Sequence, residues 1–281
     1  ALLAATRAKA EELGARSVAL TFDPHPVRFF KPELGEFRLT TTAQKLERLA
    51  AQGMEATLVL PFAAEIARLS PPDFVSHILG EALGAIHVLV GSDFRFGHRR
   101  AGTVEALTQL GRVHGFGVTV FEQIRDGASV ISSSVIRDAV RDGRVEDVVG
   151  LMTHSFELSG PVVHGDARGR TLGYPTANIE VTRQLLPRDG IYTTTLHTPT
   201  FGVLPACTYI GKRPTYGVGP QNVETFVLEW ERDAPLDLYG QDVTIEFHEF
   251  IRSDYTFESS EALTEQMDRD VARARAYFSR A

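Results

Sequence analysis

Along the first half of the chain, apolar positions fall into two alternating kinds of segment. Short apolar runs of strand length stand at Ser17–Phe22, Ala56–Leu60, Ile86–Val90 and Val118–Glu122. Between them the apolar residues take helical spacing. Leu2–Leu13 is rich in Ala, Leu, Lys and Glu and stops at Gly14, as strong helix formers closed by a glycine do. A second helix runs from Thr42 through Leu46, Leu49 and Ala50 to Gly53. Ser70 followed by Pro71 reads as an N-cap with proline in the first turn. It opens a helix to about Leu83, and Thr103–His114 is the fourth. Near-continuous apolar strands alternating with amphipathic helices predict a doubly wound α/β domain, its parallel sheet covered on both faces.

In such a sheet each crossover helix joins two parallel strands. Here a helix comes first, starting directly after Ala1 with no capping side chain. The alternation therefore expects a first strand and its following loop to be absent from this sequence. That loop matters, because open α/β sheets bind ligands at the carboxyl ends of their strands.

Near Gly143 the pattern changes. Two short helices, about Ser134–Asp142 and Val145–Met152, lead into a strand-rich half with strands at Phe156–His164, Ile191–His197, Ala206–Gly211, Val223–Trp230 and Val243–Ile251. Thr244, Glu246 and His248 alternate with Val243, Ile245 and Phe247, which suits a barrel wall with one wet face. Leu263, Met267, Val271, Ala274 and Phe278 recur at helical spacing and predict a closing amphipathic helix. The expected architecture is an α/β domain over residues 1–150, then a small antiparallel β-barrel with a C-terminal helix over 151–281.

Composition narrows the class. The length of 281 residues suits two domains at roughly 150 residues each. Twenty-nine Lys+Arg against 36 Asp+Glu leave a net charge of −7, which disfavours non-specific binding to nucleic acid or anionic membranes. A local basic site for one phosphorylated ligand remains compatible with it. The single cysteine, Cys207, excludes an internal disulfide and a Cys-rich zinc site and fits a reducing compartment. No apolar run approaches the ~20 residues of a membrane span, and no signal segment is present. A cytoplasmic protein is expected.

The most informative stretch runs from Gly165 to Asn178, GDARGRTLGYPTAN. Gly165, Gly169 and Gly173 let the backbone approach a ligand and turn N–H groups toward it, as phosphate-binding loops do. Arg168 and Arg170 add positive charge. Thr176 and Asn178 offer hard oxygen ligands of the kind Mg²⁺ takes. Taken alone, the glycines also read as a hairpin loop. Downstream come LPRDGIY at 186–192, IGKRPTYG at 210–217 and VETFVL at 223–228. Glu224 interrupts an apolar strand, as a general base would and as a solvent-facing strand residue also would.

Together these strings resemble the riboflavin kinase family, from about Ser155 to the C-terminus. The resemblance implies that Thr176 and Asn178 hold Mg²⁺ and the nucleotide phosphates, and that Glu224 is the base for the ribityl 5′-hydroxyl of riboflavin. It also implies that Gly165, Arg168, Gly169, Gly173 and Pro175 line the phosphate loop.

In the first half, FDPHP at 22–26 and VGSDFRFG at 90–97 each follow a strand directly, and ISSSVIR at 131–137 places hydroxyls and an arginine at a helix start, a natural triphosphate site. Singly, these also read as a loop, a turn and an N-cap. In this order they resemble the FMN adenylyltransferase half of the bacterial bifunctional riboflavin kinase/FAD synthetase family, which has a Rossmann-like nucleotidyltransferase fold. The resemblance puts His25 and Pro26 near nucleotide or flavin, and Asp93, Phe94 and Arg95 around the nucleotide. It puts Ser133, Ser134 and Arg137 on the triphosphate.

One departure stands out. The family's opening strand, its Gly-x-Phe-Asp-Gly-x-His segment and its His-x-Gly-His signature are missing from this sequence, so the N-terminal part is expected to be cut away. The implied activity is phosphorylation of riboflavin to FMN and adenylylation of FMN to FAD, with Mg²⁺ as metal and ATP as co-substrate. Two alternatives are a riboflavin kinase with a degenerate first domain and a non-catalytic flavin or nucleotide sensor. Expected partners are riboflavin, FMN and ATP, with no nucleic acid and no membrane, in a monomer or weak homo-oligomer.

Overall fold

The structure, a computed structural model, describes residues 1–122, 125–126, 129–165, 173–212, 221–228 and 237–280. It divides into two compact units, one of residues 1–35 and 42–131, the other of residues 36–41 and 132–281. The division by compactness thus falls at 131/132, where the sequence pattern places the boundary at 150/151. The two short helices between these points pack with the barrel, because Ile136, Ala139, Val140, Val145 and Val148 are buried in its core cluster.

The first unit alternates helix and strand as expected: α1 (Leu2–Glu12), β1 (Val18–Asp23), α2 (Pro26–Phe30), α3 (Thr42–Ala51), β2 (Ala56–Pro61), α4 (Ala64–Arg68), α5 (Pro71–Asp73), β3 (His87–Gly91), α6 (Val104–His114) and β4 (Gly117–Phe121). A two-residue hairpin pair, β5 (Arg125–Asp126) and β6 (Ser129–Val130), follows. The helix opened by Ser70 continues beyond α5 as a π-helix over Phe74–Ala82, which buries Phe74, Val75, Ile78 and Leu79. The parallel sheet is not continuous. β1 pairs with β2 and β3 with β4, each in parallel, as two separate two-stranded sheets. Leu20 and Phe22 of β1 and Val88 and Val90 of β3 line one apolar cavity of about 680 Å³.

The second unit begins with α7 (Ser133–Arg141) and α8 (Val145–Met152) and continues as a closed barrel. Its strands are β7 (Phe156–Val163), β8 (Thr176–Ile179), β9 (Gly190–Thr198), β10 (Gly202–Lys212), β11 (Gln221–Val227) and β12 (Asp242–Ser253), in the order β10-β11-β8-β7-β12-β9. Helix α9 (Ser260–Phe278) closes the chain. Phe156, Leu158, Tyr192, Leu196, Ile210, Ile245 and Phe247 are fully buried in the barrel's cluster. Alternation leaves some threonines inside as well, and they satisfy one another: Thr208 Oγ1 lies 2.8 Å from Thr194 Oγ1 and 2.9 Å from Thr225 Oγ1. No helix among the described residues is long and apolar enough to cross a membrane.

Candidate active site

Strand periodicity sets the composition of one barrel face. On β11, Val223, Thr225 and Val227 are buried, while Asn222, Glu224 and Phe226 are only partly so. Directly paired residues of neighbouring strands share a face. Asn178 of β8 is paired with Glu224, Thr176 with Phe226, and Tyr209 of β10 with Glu224 from the other side. The face therefore gathers Thr176, Asn178, Tyr209 and Glu224, three of which are the residues singled out by the sequence. The Thr176 hydroxyl donates to Glu224 Oε2 at 3.2 Å, and the Asn222 amide donates to Glu224 Oε1. The Tyr209 hydroxyl donates to Asp254 Oδ2 at 2.9 Å. Burial first, then the Asp254 carboxylate, pushes the Tyr209 phenol well above its ordinary range, so it stays neutral.

Asn178 is only 8 % exposed. Its Oδ1 has no hydrogen-bond partner among the described residues. A buried acceptor left unpaired costs about 1–3 kcal/mol, so an oxygen in this position is poised for a ligand. Gly165 backs directly onto the Asn178 amide. Gly173, with φ +85°, and exposed Pro175 lead into Thr176. Arg168, Gly169 and Arg170 lie outside the described residues, as do residues 213–217. Among the described residues no three His, Cys, Asp or Glu side chains gather into a metal site. The Thr176 and Asn178 oxygens, one of them orphaned, form the hard-oxygen set that suits Mg²⁺.

Sequence reasoning missed what braces this face. Tyr174 is buried with its ring edge-on to Phe226 at 5.1 Å, and its hydroxyl donates to Asp268 of α9. Helix α9 is held to β12 by Arg252, whose Nε and Nη2 donate to Asp270 at 2.7–3.0 Å. Cys207 lies beneath the helix with Val271 and Ala274, and burial pushes its thiol up to about 12. It is therefore a packing residue rather than a thiolate. Phe226 at i+2 from Glu224 was the available signal, since it marks where the wet face turns apolar beneath the helix.

In the first unit, His25 and Pro26 sit just past the carboxyl end of β1. His25 caps α2 by accepting the Val27 N–H at Nδ1, 3.2 Å away, and the Asp23 carboxylate accepts the Thr42 hydroxyl at 2.9 Å. Beside them Phe22, Phe29, Phe30 and Phe62 form an edge-on aromatic cluster with ring centroids 5.2–5.8 Å apart. Phe30 is 60 % exposed there, a shelf that the sequence reading did not single out. At the end of β3, Asp93 and Arg95 are exposed, and Phe94 stacks on Phe96 at 5.6 Å.

Ser133, Ser134 and Arg137 belong to the second compact unit, whereas His25 and Asp93 belong to the first. Ser132 is the residue that caps α7, accepting the Val135 N–H at 3.4 Å, while Ser133 and Ser134 are exposed. Arg137 Nε donates to the Phe37 carbonyl at 2.8 Å, with its guanidinium 5.2 Å above the Phe37 ring. That packing accounts for its half-buried state without an anion.

Comparison with known proteins also divides the chain in two. The riboflavin kinase family profile matches residues 152–278, and the FAD synthetase profile matches residues 1–135. A bifunctional riboflavin kinase/FMN adenylyltransferase of Escherichia coli strain K12 is 34% identical over 261 residues, covering 93% of this chain and 82% of the relative. One from Pseudomonas fluorescens is 34% identical over 98% of this chain and 87% of its own length. A crystal structure described as a macrolide-efflux protein from Streptococcus pneumoniae matches with a TM-score of 0.82 and 27% identity, over 98% of this chain and 88% of that one.

Proposed function

This chain belongs to the bifunctional riboflavin kinase/FMN adenylyltransferase family, and from that membership we propose how its residues divide the two reactions. It is an enzyme of flavin-cofactor synthesis, phosphorylating riboflavin to FMN and adenylylating FMN to FAD. Residues 151–281 are assigned the kinase step and residues 1–150 the adenylyl transfer. The observation that carries the kinase assignment is the meeting of Thr176, Asn178 and Glu224 on one barrel face, with Asn178 Oδ1 buried and unpartnered among the described residues.

In this reading Glu224 accepts the proton of the riboflavin 5′-hydroxyl. The hydroxyl oxygen bonds to the γ-phosphorus of ATP as the bond to the bridging oxygen breaks, and ADP leaves with that electron pair. Little covalent work falls to the protein, so positioning and charge neutralisation dominate. Thr176 and Asn178 would hold Mg²⁺, which supplies neutralisation of the phosphate charge. Gly165, Arg168, Gly169, Gly173 and Pro175 are assigned to the phosphate loop. For the adenylyl transfer, His25, Pro26 and the Phe29/Phe30/Phe62 shelf are assigned to flavin or nucleotide. Asp93, Phe94 and Arg95 take the nucleotide, and Ser133, Ser134 and Arg137 the triphosphate. The proposed enzyme is cytoplasmic, acts on small molecules and is a monomer or weak homo-oligomer; its net charge of −7 weighs against non-specific binding to nucleic acid or anionic membranes.

The test is Glu224→Gln assayed with riboflavin, ATP and Mg²⁺. FMN formation is expected to be abolished, while adenylylation of supplied FMN stays at the parent's level. Near-normal phosphorylation by this variant would remove Glu224 from the role of base.

A further inference from the structure

Glu224 is fixed by two donors of different kinds. Thr176, on the neighbouring strand, donates to Oε2 at 3.2 Å. Asn222, two residues back on β11, donates to Oε1. Positions 222 and 224 share a face because side chains alternate along a strand. The terminal torsion of a glutamate is broad and roughly two-fold, so rotamer wells alone do not set the plane of its carboxylate. On this face hydrogen bonds set it. A base acts only with its oxygen in hydrogen-bond reach of the proton it takes, and a misplacement of about 1 Å costs on the order of a hundredfold.

The two donors differ in what the reaction asks of them. Thr176 is also assigned to metal and phosphate, so its hydroxyl has a competing partner when substrate is bound. Asn222 has Glu224 as its one side-chain hydrogen-bond partner among the described residues. We propose that Asn222 is a positioning residue for the kinase reaction: it anchors Oε1 throughout, while Oε2 exchanges the Thr176 hydroxyl for the substrate hydroxyl whose proton it accepts. This rests on the reading of Glu224 as base.

The experiment replaces Asn222 in the full chain with Leu, near-isosteric but without a donor, and with Gln, which keeps the amide. Asn222→Leu is expected to lower kcat for FMN formation roughly ten- to hundredfold. The KM values for riboflavin and ATP should stay within about twofold of the parent, because the lost interaction orients the base rather than binding substrate. Asn222→Gln should recover most of the rate. In a Glu224→Asp background, where the shortened carboxylate is drawn away from Asn222, the same Leu substitution should cost little, since residues acting as one unit are non-additive. Thermal melting and adenylylation of supplied FMN should match the parent. Asn222→Ala takes the place of the Leu variant should that fail to fold. An unchanged kcat, or an equal loss in the Glu224→Asp background, overturns the proposal. Glu224→Gln separates the two readings: an active Glu224→Gln removes the base itself, whereas an inactive one with an unaffected Asn222→Leu removes only the anchor.

Discussion

Gly165 lies against the side-chain amide of Asn178 so closely that a Cβ at position 165 would overlap it. Asn178 is itself only 8 % exposed. Gly165→Ala should therefore displace the orphaned Oδ1 from the face it shares with Glu224. Overpacking of this kind costs about 1–3 kcal/mol. The expected outcome is a modest fall in melting temperature and a much larger fall in FMN formation, read from kinase rates at a temperature where the variant is fully folded. Parent-level kinase activity would show that Asn178 is not held where the reaction needs it.

The Arg252–Asp270 pair fastens α9 over the face that carries Tyr174 and Phe226. Their side chains are only 15% and 5% exposed, and the Arg252 guanidinium also lies 4.7 Å over the Tyr255 ring. Removing one partner strands a buried charge, a loss of about 3–5 kcal/mol. Asp270→Ala should lower stability by that order in urea unfolding. The double change Arg252→Met with Asp270→Leu should cost markedly less, because neither charge is then left alone. Equal losses in the two would show that packing, not the charge, fastens the helix.

Much of this was legible in the residues themselves. The alternation of short apolar runs and amphipathic helices located β1 to β4 to within about a residue, because parallel strands read as short, near-continuous apolar runs. Glu224 announced itself as a charge inside an apolar strand. Less legible were features that depend on register. Thr176–Ile179 forms a strand, β8, yet on the sequence it ends a glycine-rich loop, and only its pairing with β11 brings Asn178 beside Glu224. The separation of the β1–β2 pair from the β3–β4 pair is likewise a matter of strand order, which periodicity does not encode. Arg137 carries a contact that helical spacing does not show: a basic residue one turn into a helix reads as an anion contact, and its Nε also bonds the Phe37 carbonyl.

Ser133→Ala combined with Arg137→Ala separates these two roles of Arg137. Loss of the Phe37 hydrogen bond and ring contact should lower stability by about 1–2 kcal/mol, visible in chemical unfolding. If the serines and Arg137 also hold the triphosphate, FAD formation from supplied FMN should fall well beyond that, with riboflavin phosphorylation unchanged. Parallel loss of both activities would leave Arg137 as a packing residue only.

His248 gives the barrel–helix contact a pH dependence of definite sign. Its Nε2 lies 2.6 Å from Thr195 Oγ1, and its ring stacks on Tyr277 of α9 at 5.4 Å. Burial holds its pKa below the ordinary 6.5, against the opposing pull of Glu246 and with the help of His197. The unfolded chain therefore takes up a proton before the folded chain does, so acid favours unfolding. The contribution is complete above pH 6.5 and is lost as the pH falls from there through the lower folded value. Melting temperatures taken from pH 7.5 down to 5.5 should decline, and His248→Gln should flatten that decline, since glutamine fills the site without titrating. Glu246, whose pKa is held below its ordinary 4.5, stays ionised across this range and leaves the comparison unaffected. A slope as steep in His248→Gln as in the parent would place the acid sensitivity elsewhere in the chain.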